Sequence, residues 1–200
     1  MFSEIKKACQ NTYQFKSMSI LDHGLLVNSY FLDLYNHLFN GSPLTFSWKL
    51  PDNLLSNKEL ILSNLLPLDI INEYQIWHDC SKPFCRIIDH EGKQHFPNHA
   101  KLSESIWQSI GSELASKLMG MDMLPHTLKS LPEINTFILK PQSITLILTA
   151  FCEVHANAEL FGGINSTGFK IKFKQVNKIF NRWLFYHLNY RSLEFSNNKE

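Results

Sequence analysis

Residues 77–99 read WHDCSKPFCRIIDHEGKQHFPNH, which places His78, His90, His95 and His99, four of the chain's nine histidines, in one short stretch. An imidazole nitrogen beside a carboxylate oxygen, as in His78-Asp79, suits a borderline or hard divalent ion such as Mn²⁺, Fe²⁺, Ni²⁺, Zn²⁺ or Mg²⁺. Neighbouring residues on a helix point about 100° apart. The doublet can therefore share an ion only at a helix edge, with other helices supplying the remaining ligands. The plain alternative is an imidazole-rich polar loop in which Asp79 caps the following turn through its carboxylate.

The elements that must position these residues are mostly helical. Ser19 to Phe39 carries an apolar stripe (Ile20, Val27, Phe31, Leu34, Leu38) with His23 near its start, and Asn40-Gly41-Ser42-Pro43 ends it. Asn57 to Leu66 predicts a second helix. Leu68 to Asp79 predicts a third, apolar almost all round, which delivers His78-Asp79 at its C-terminal end before Pro83. Residues 84–96 read as an exposed excursion turning at Asp89-His90-Glu91-Gly92-Lys93. Pro97 opens a helix expected to run to about Met119. Shorter helices are expected at 125–131 and 132–138, and a long apolar one from Ser143 to Phe161. Phe169-Lys170-Ile171-Lys172-Phe173-Lys174 alternates like a strand, and Val176 to Tyr190 has a helical pattern.

The fold class read from this pattern is all-α, a helical bundle with room for a short β-hairpin or edge strand near 169–174. Two hundred residues without a repeat or a Gly/Ser linker read as one domain, 1–200. A basic, aromatic segment is expected at 164–192. Between Glu159 and Glu194 there is no acidic residue, while Lys170, Lys172, Lys174, Lys178, Arg182 and Arg191 all occur. A formal net charge of +1 otherwise says nothing about partners.

Cys9, Cys80, Cys85 and Cys152 form no zinc-ribbon spacing and read as reduced thiols in a cytoplasm. Met1 to Ile20 lacks the continuous apolar core of a signal peptide, and no apolar run approaches the ~20 residues of a membrane span. The chain has no P-loop, no GxGxxG after a strand and no GxSxG elbow.

The order of motifs adds more. ILDHGLLV (20–27) precedes the helix ending in His78-Asp79; Lys82-Pro83 follows, then His95-Phe96-Pro97-Asn98-His99. Later come MDMLPHT (121–127) and CEVHANA (152–158). In this the chain resembles the HD-domain metal-dependent phosphohydrolase superfamily, most of all the HD domains of bacterial tRNA nucleotidyltransferases, with their HD-x-GKP and HF-x-GH stretches. Ser81 and Asn98 stand where those stretches usually carry glycine.

The resemblance spans residues 18–160, and it implies an HD-like helical bundle with that core and a divalent metal held by His23, His78, Asp79 and, where the family has its last aspartate, His155. It implies that Lys82 faces a substrate phosphate, with His99 and His95 as proton donors or further ligands. Glu153, His126 and Asn157 would lie behind the ligands or touch substrate. The activity implied is hydrolysis of a phosphomonoester or phosphodiester on a nucleotide or an RNA end.

Lys170, Lys172, Lys174, Lys178 and Arg182 would then track nucleic-acid phosphates, with Phe180, Trp183, Phe185, Tyr186 and Tyr190 available for stacking. On the bland reading Lys170, Lys172 and Lys174 are the solvated guard of an edge strand, and the aromatics belong to the core. Because His155 carries no negative charge, a catalytically silent HD fold that binds nucleic acid or a protein partner is the competing expectation. The sequence leaves the oligomeric state open.

Overall fold

The computed structural model describes residues 1–15 and 17–197, with side chains up to residue 189. Tyr190 and Arg191 of the expected basic segment therefore lie outside the described side chains.

The fold is mostly helical, with two small antiparallel strand pairs. Helix α1 (Phe2–Asn11) has no counterpart in the sequence reading; it buries Ile5 and Cys9. Strands β1 (Tyr13–Phe15) and β2 (Met18–Ser19) pair and lead into α2 (Ile20–Asn40). There the Ser19 hydroxyl accepts from the Asp22 N–H while Asp22 bonds back to the Ser19 N–H. This reciprocal cap fixes the first turn, on which His23 sits. Gly41, at φ 72°, ends the helix where only glycine is free of strain.

Helix α3 (Lys58–Leu62) follows, then α4 (Leu68–Trp77), the four-residue α5 (Lys82–Cys85) and a hairpin of β3 (Ile87–Ile88) with β4 (Gln94–His95). The Pro97-initiated helix is two helices, α6 (His99–Trp107) and α7 (Glu113–Met121). The break has a cause. The Glu73 carboxylate accepts both from Trp107 Nε1 and from the Ser112 N–H, and a Cβ at Gly111 would lie 2.1 Å from Trp107 Nε1. Short α8 (Leu124–Thr127) and α9 (Leu131–Ile138) precede α10 (Ser143–Ala156), all of whose residues are buried.

Residues 169–174 are not a strand. They belong to α11 (Thr167–Asn197), where Phe169, Phe173, Val176, Phe180 and Trp183 are buried at helical spacing while Ile171 is 63% exposed. The period of 3.6 running on to Trp183 outweighs the local alternation, and the Ser166 hydroxyl accepts from the Phe169 N–H to start the helix.

The core lies where α2, α4, α10 and α11 meet. Asp33 on α2 pins the segment after it by accepting from the Thr45 and Phe46 N–H groups, the Thr45 hydroxyl and Trp48 Nε1. No single helix among the described residues is long and apolar enough to cross a membrane.

Candidate metal centre

Helix α2 meets α4 at Gly24, where an added Cβ would lie 2.1 Å from the Ile76 carbonyl oxygen. That close approach carries His23 against the C-terminal end of α4, where His78 caps the helix and Asp79 occupies the next turn. Helix α10 presents Glu153 to the same cavity. Asp122 follows α7, His126 lies on α8, Lys82 on α5, His99 on α6 and Lys172 on α11. All line one space of about 220 Å³.

The ligand atoms of His23, His78 and Asp79 lie within 4.8 Å of one another, and so do those of His78, Asp122 and Glu153. These five residues are at most 8% exposed. His78 Nδ1 donates to the Gln75 carbonyl at 2.8 Å, which aims Nε2 into the cavity. Gln75 is itself held by Asn28 and Thr149. Asp79 Oδ2 lies 3.2 Å from His78 Nε2, 3.9 Å from His23 Nε2 and 2.5 Å from Lys82 Nζ; Asp79 Oδ1 lies 3.7 Å from His99 Nε2. The Tyr74 hydroxyl donates to Asp122.

Four buried polar atoms here have no hydrogen-bond partner: His23 Nδ1, Asp79 Oδ1, Glu153 Oε1 and His126 Nε2. His126 Nε2 stands 3.2 Å from Glu153 Oε2, an ion-pair distance without hydrogen-bond alignment. Buried polar atoms without partners are rare and costly. Imidazole and carboxylate donors facing one space are the donors a divalent cation takes.

Charge in the cavity is strongly coupled. Burial pushes His23 down to about 3, and the neighbouring His78 adds to this, so the imidazole is neutral and able to ligate. Burial alone would lower His78, but Asp79, then Asp122 and Glu153, lift it to about 10. Asp79 is held well below the carboxylate range because His78 and Lys82 outweigh its burial. Burial and then Glu153 raise Asp122, whereas His126 outweighs burial at Glu153 and lowers it.

No family model, curated protein or solved structure matches the chain. What the cavity can do must come from its own chemistry.

The structure brings His23, His78, Asp79, Lys82, His99, His126, Glu153 and Asn157 to this one cavity. It corrects the expectation for His155, which turns away. Its Nδ1 donates to the Phe151 carbonyl at 2.7 Å and its Nε2 accepts from the Lys49 N–H at 3.0 Å, so neither nitrogen can ligate. The ring lies among Trp48, Phe169 and Phe173, and burial lowers it to about 4. Two helical positions turn a side chain by about 200°, so Glu153 faces the cavity and His155 the aromatic core.

His95 is also elsewhere. It lies on β4, 47% exposed, with Nε2 2.6 Å from Asp89 Oδ2. The basic stripe divides as well: Lys178 donates to the Lys129 carbonyl and Arg182 to Asn135, so both are engaged with their own chain.

Two participants escaped the sequence reading. Gln14 on β1 accepts from Lys82 Nζ at 2.9 Å and donates to Asn157, spanning one edge of the cavity; nothing in its sequence context marks it. Asp122, given no role in the sequence reading of MDMLPHT, is 3% exposed and lines the cavity. Its position between Met121 and Met123-Leu124, a lone carboxylate in an apolar run, is the signal that points to it.

Proposed function

We propose that this chain is a metal-dependent phosphohydrolase of the HD type, acting on the phosphate ester of a nucleotide or an RNA end. The observation that supports it is the convergence of His23, His78, Asp79 and Glu153, with unpartnered buried atoms, on a cavity that also holds Lys82 and His99. A divalent cation held by these side chains would supply Lewis acidity, neutralising charge on a phosphoryl oxygen and acidifying water.

The chain's own groups do the rest. Lys82, 12% exposed and steadied between Asp79 and Gln14, offers a fixed ammonium to a phosphate entering from the open side. His99 has Nδ1 tied to the Phe96 carbonyl at 2.9 Å, which leaves Nε2 facing the cavity to hand a proton to the departing oxygen. Asp79 orients both groups. The small cavity and the divided basic stripe favour a single nucleotide phosphate over an RNA tracked along α11. The silent-module alternative rests on His155 as the last ligand; that Glu153, not His155, faces the cavity supports the metal-dependent reading.

The test is metal content by elemental analysis, wild type against Asp79→Ala and the near-isosteric Asp79→Asn, with phosphomonoesters and phosphodiesters screened in parallel. The expected result is near-stoichiometric metal and turnover in the wild type, both lost in the variants. Full turnover in Asp79→Asn, or no metal after incubation with Mn²⁺, Ni²⁺ and Mg²⁺, would overturn the assignment.

A further inference from the structure

Lys172 is a second cation in the cavity, and nothing in the metal centre accounts for it. Read as a strand, Lys170, Lys172 and Lys174 would share one face. On α11 they cannot, since two positions turn about 200° and four about 40°. Lys170 and Lys174 accordingly line a different cleft with Lys49, while Lys172 alone reaches the cavity of His23 and Lys82.

Its placement is built in. Gly168, one turn earlier on the same face, packs so close to the Phe161 backbone that an added Cβ would lie 3.3 Å from the Phe161 oxygen. Phe161 lines the same cavity as Lys172. Close packing at Gly168 thus seats the first turns of α11 against the cavity rim.

Among the described residues Lys172 has neither an ion-pair nor a hydrogen-bond partner. Lys82, by contrast, is engaged by Asp79 and Gln14. The three carboxylates lining the cavity (Asp79, Asp122, Glu153) against its two lysines leave a formal charge of −1, with histidines counted neutral. A divalent cation turns that to +1. With the carboxylates committed to the ion and Lys82 to the phosphate beside it, the charge of Lys172 remains for the ligand.

We propose that Lys172 is a specificity-determining residue that binds a second anionic group of the substrate, so that the preferred substrate is a compact ester with two or more linked phosphates, such as a nucleoside diphosphate. This rests on the metal-centred reading of the cavity for the position of the first phosphate. It adds a preference which that reading does not require.

The test compares AMP and ADP on protein loaded with one equivalent of Mn²⁺, by equilibrium dialysis, for wild type, Lys172→Gln and Lys172→Arg. Turnover of both nucleotides is followed separately. The expected result is ADP binding at least about tenfold tighter than AMP in the wild type, which corresponds to about 1.4 kcal/mol. In Lys172→Gln the two affinities should become equal through loss of ADP affinity alone, and Lys172→Arg should restore most of the preference. Equal affinities in the wild type, absence of binding by either nucleotide, or equal weakening of both in Lys172→Gln would overturn the proposal. A Lys172-dependent preference for ADP without turnover of any phosphate ester would retain the subsite and remove the phosphohydrolase. Turnover without the preference would do the reverse.

Discussion

Replacing Gly24 by alanine probes the contact that brings His23 to His78. Alanine is the better helix former, and at an exposed interior position the change would stabilise α2 by about 1 kcal/mol. At Gly24 the new Cβ would lie 2.1 Å from the Ile76 carbonyl oxygen, more than 1 Å short of the 3.4 Å at which ordinary contact begins. The obstruction is backbone, so no rotamer relieves it and the two helices must separate. Overpacking typically costs about 1–3 kcal/mol, and a rigid backbone places this site at the upper end. The expected net loss is therefore about 1–2 kcal/mol, or a fall in Tm of about 2–8 °C for a chain of this size. The effect on the ion should exceed the effect on the fold. Metal–ligand distances tolerate about 0.2 Å, and His23, next to Gly24, moves with α2. Thermal unfolding by circular dichroism and Mn²⁺ affinity by calorimetry read the two effects. A Gly24→Ala protein with wild-type Tm and wild-type Mn²⁺ affinity would refute both the contact and its link to the site.

Three further outcomes are expected. Glu153→Gln should lower metal affinity at least tenfold with little change in Tm, whereas His155→Ala should leave metal stoichiometry intact. The latter should lower stability by about 2–4 kcal/mol, because it opens a cavity and strands the Lys49 N–H; calorimetry and thermal melts separate the two variants. Asp33 offers a pH test away from the cavity: burial raises its pKa, but the bonds from Thr45, Trp48 and Phe46 outweigh that and hold it below the ordinary value. A depressed folded-state pKa means stabilisation fully present above the unfolded value of about 3.9 and lost as pH falls through the folded one. Asp33→Asn should thus be less stable than wild type at pH 7, with the difference shrinking as pH falls below the unfolded value of about 3.9, and a difference that stays constant as the carboxylate is titrated would contradict this.

The sequence showed where chemistry is concentrated better than it showed which way side chains point. His78, Asp79 and Lys82 fall within one short stretch, so local geometry brings them together. Glu153 and His155 are different. Every residue of α10 is buried, the helix is apolar on all sides, and no amphipathic stripe sets its rotation; only packing against α2 and α11 does. The strand expected at 169–174 failed because a six-residue window cannot see a helical period that continues to Trp183. Gly111 and Glu73, which divide α6 from α7, meet across a long stretch of chain, and no local pattern records that contact. Gln14 was invisible because its role depends on a hairpin folding over Lys82.

The packing of α2, α4 and α10 also has a kinetic meaning. His23, Asp79 and Glu153 come from distant parts of the chain, so on the proposed reading the ligand set would be complete only after highly non-local contacts have formed. A chromophoric ion such as Co²⁺, added during refolding, would therefore report the last tertiary step, while far-ultraviolet dichroism reports helices already made. If the proposed ion binds, the site would be a clock for its own assembly, readable in protein that has no substrate at all.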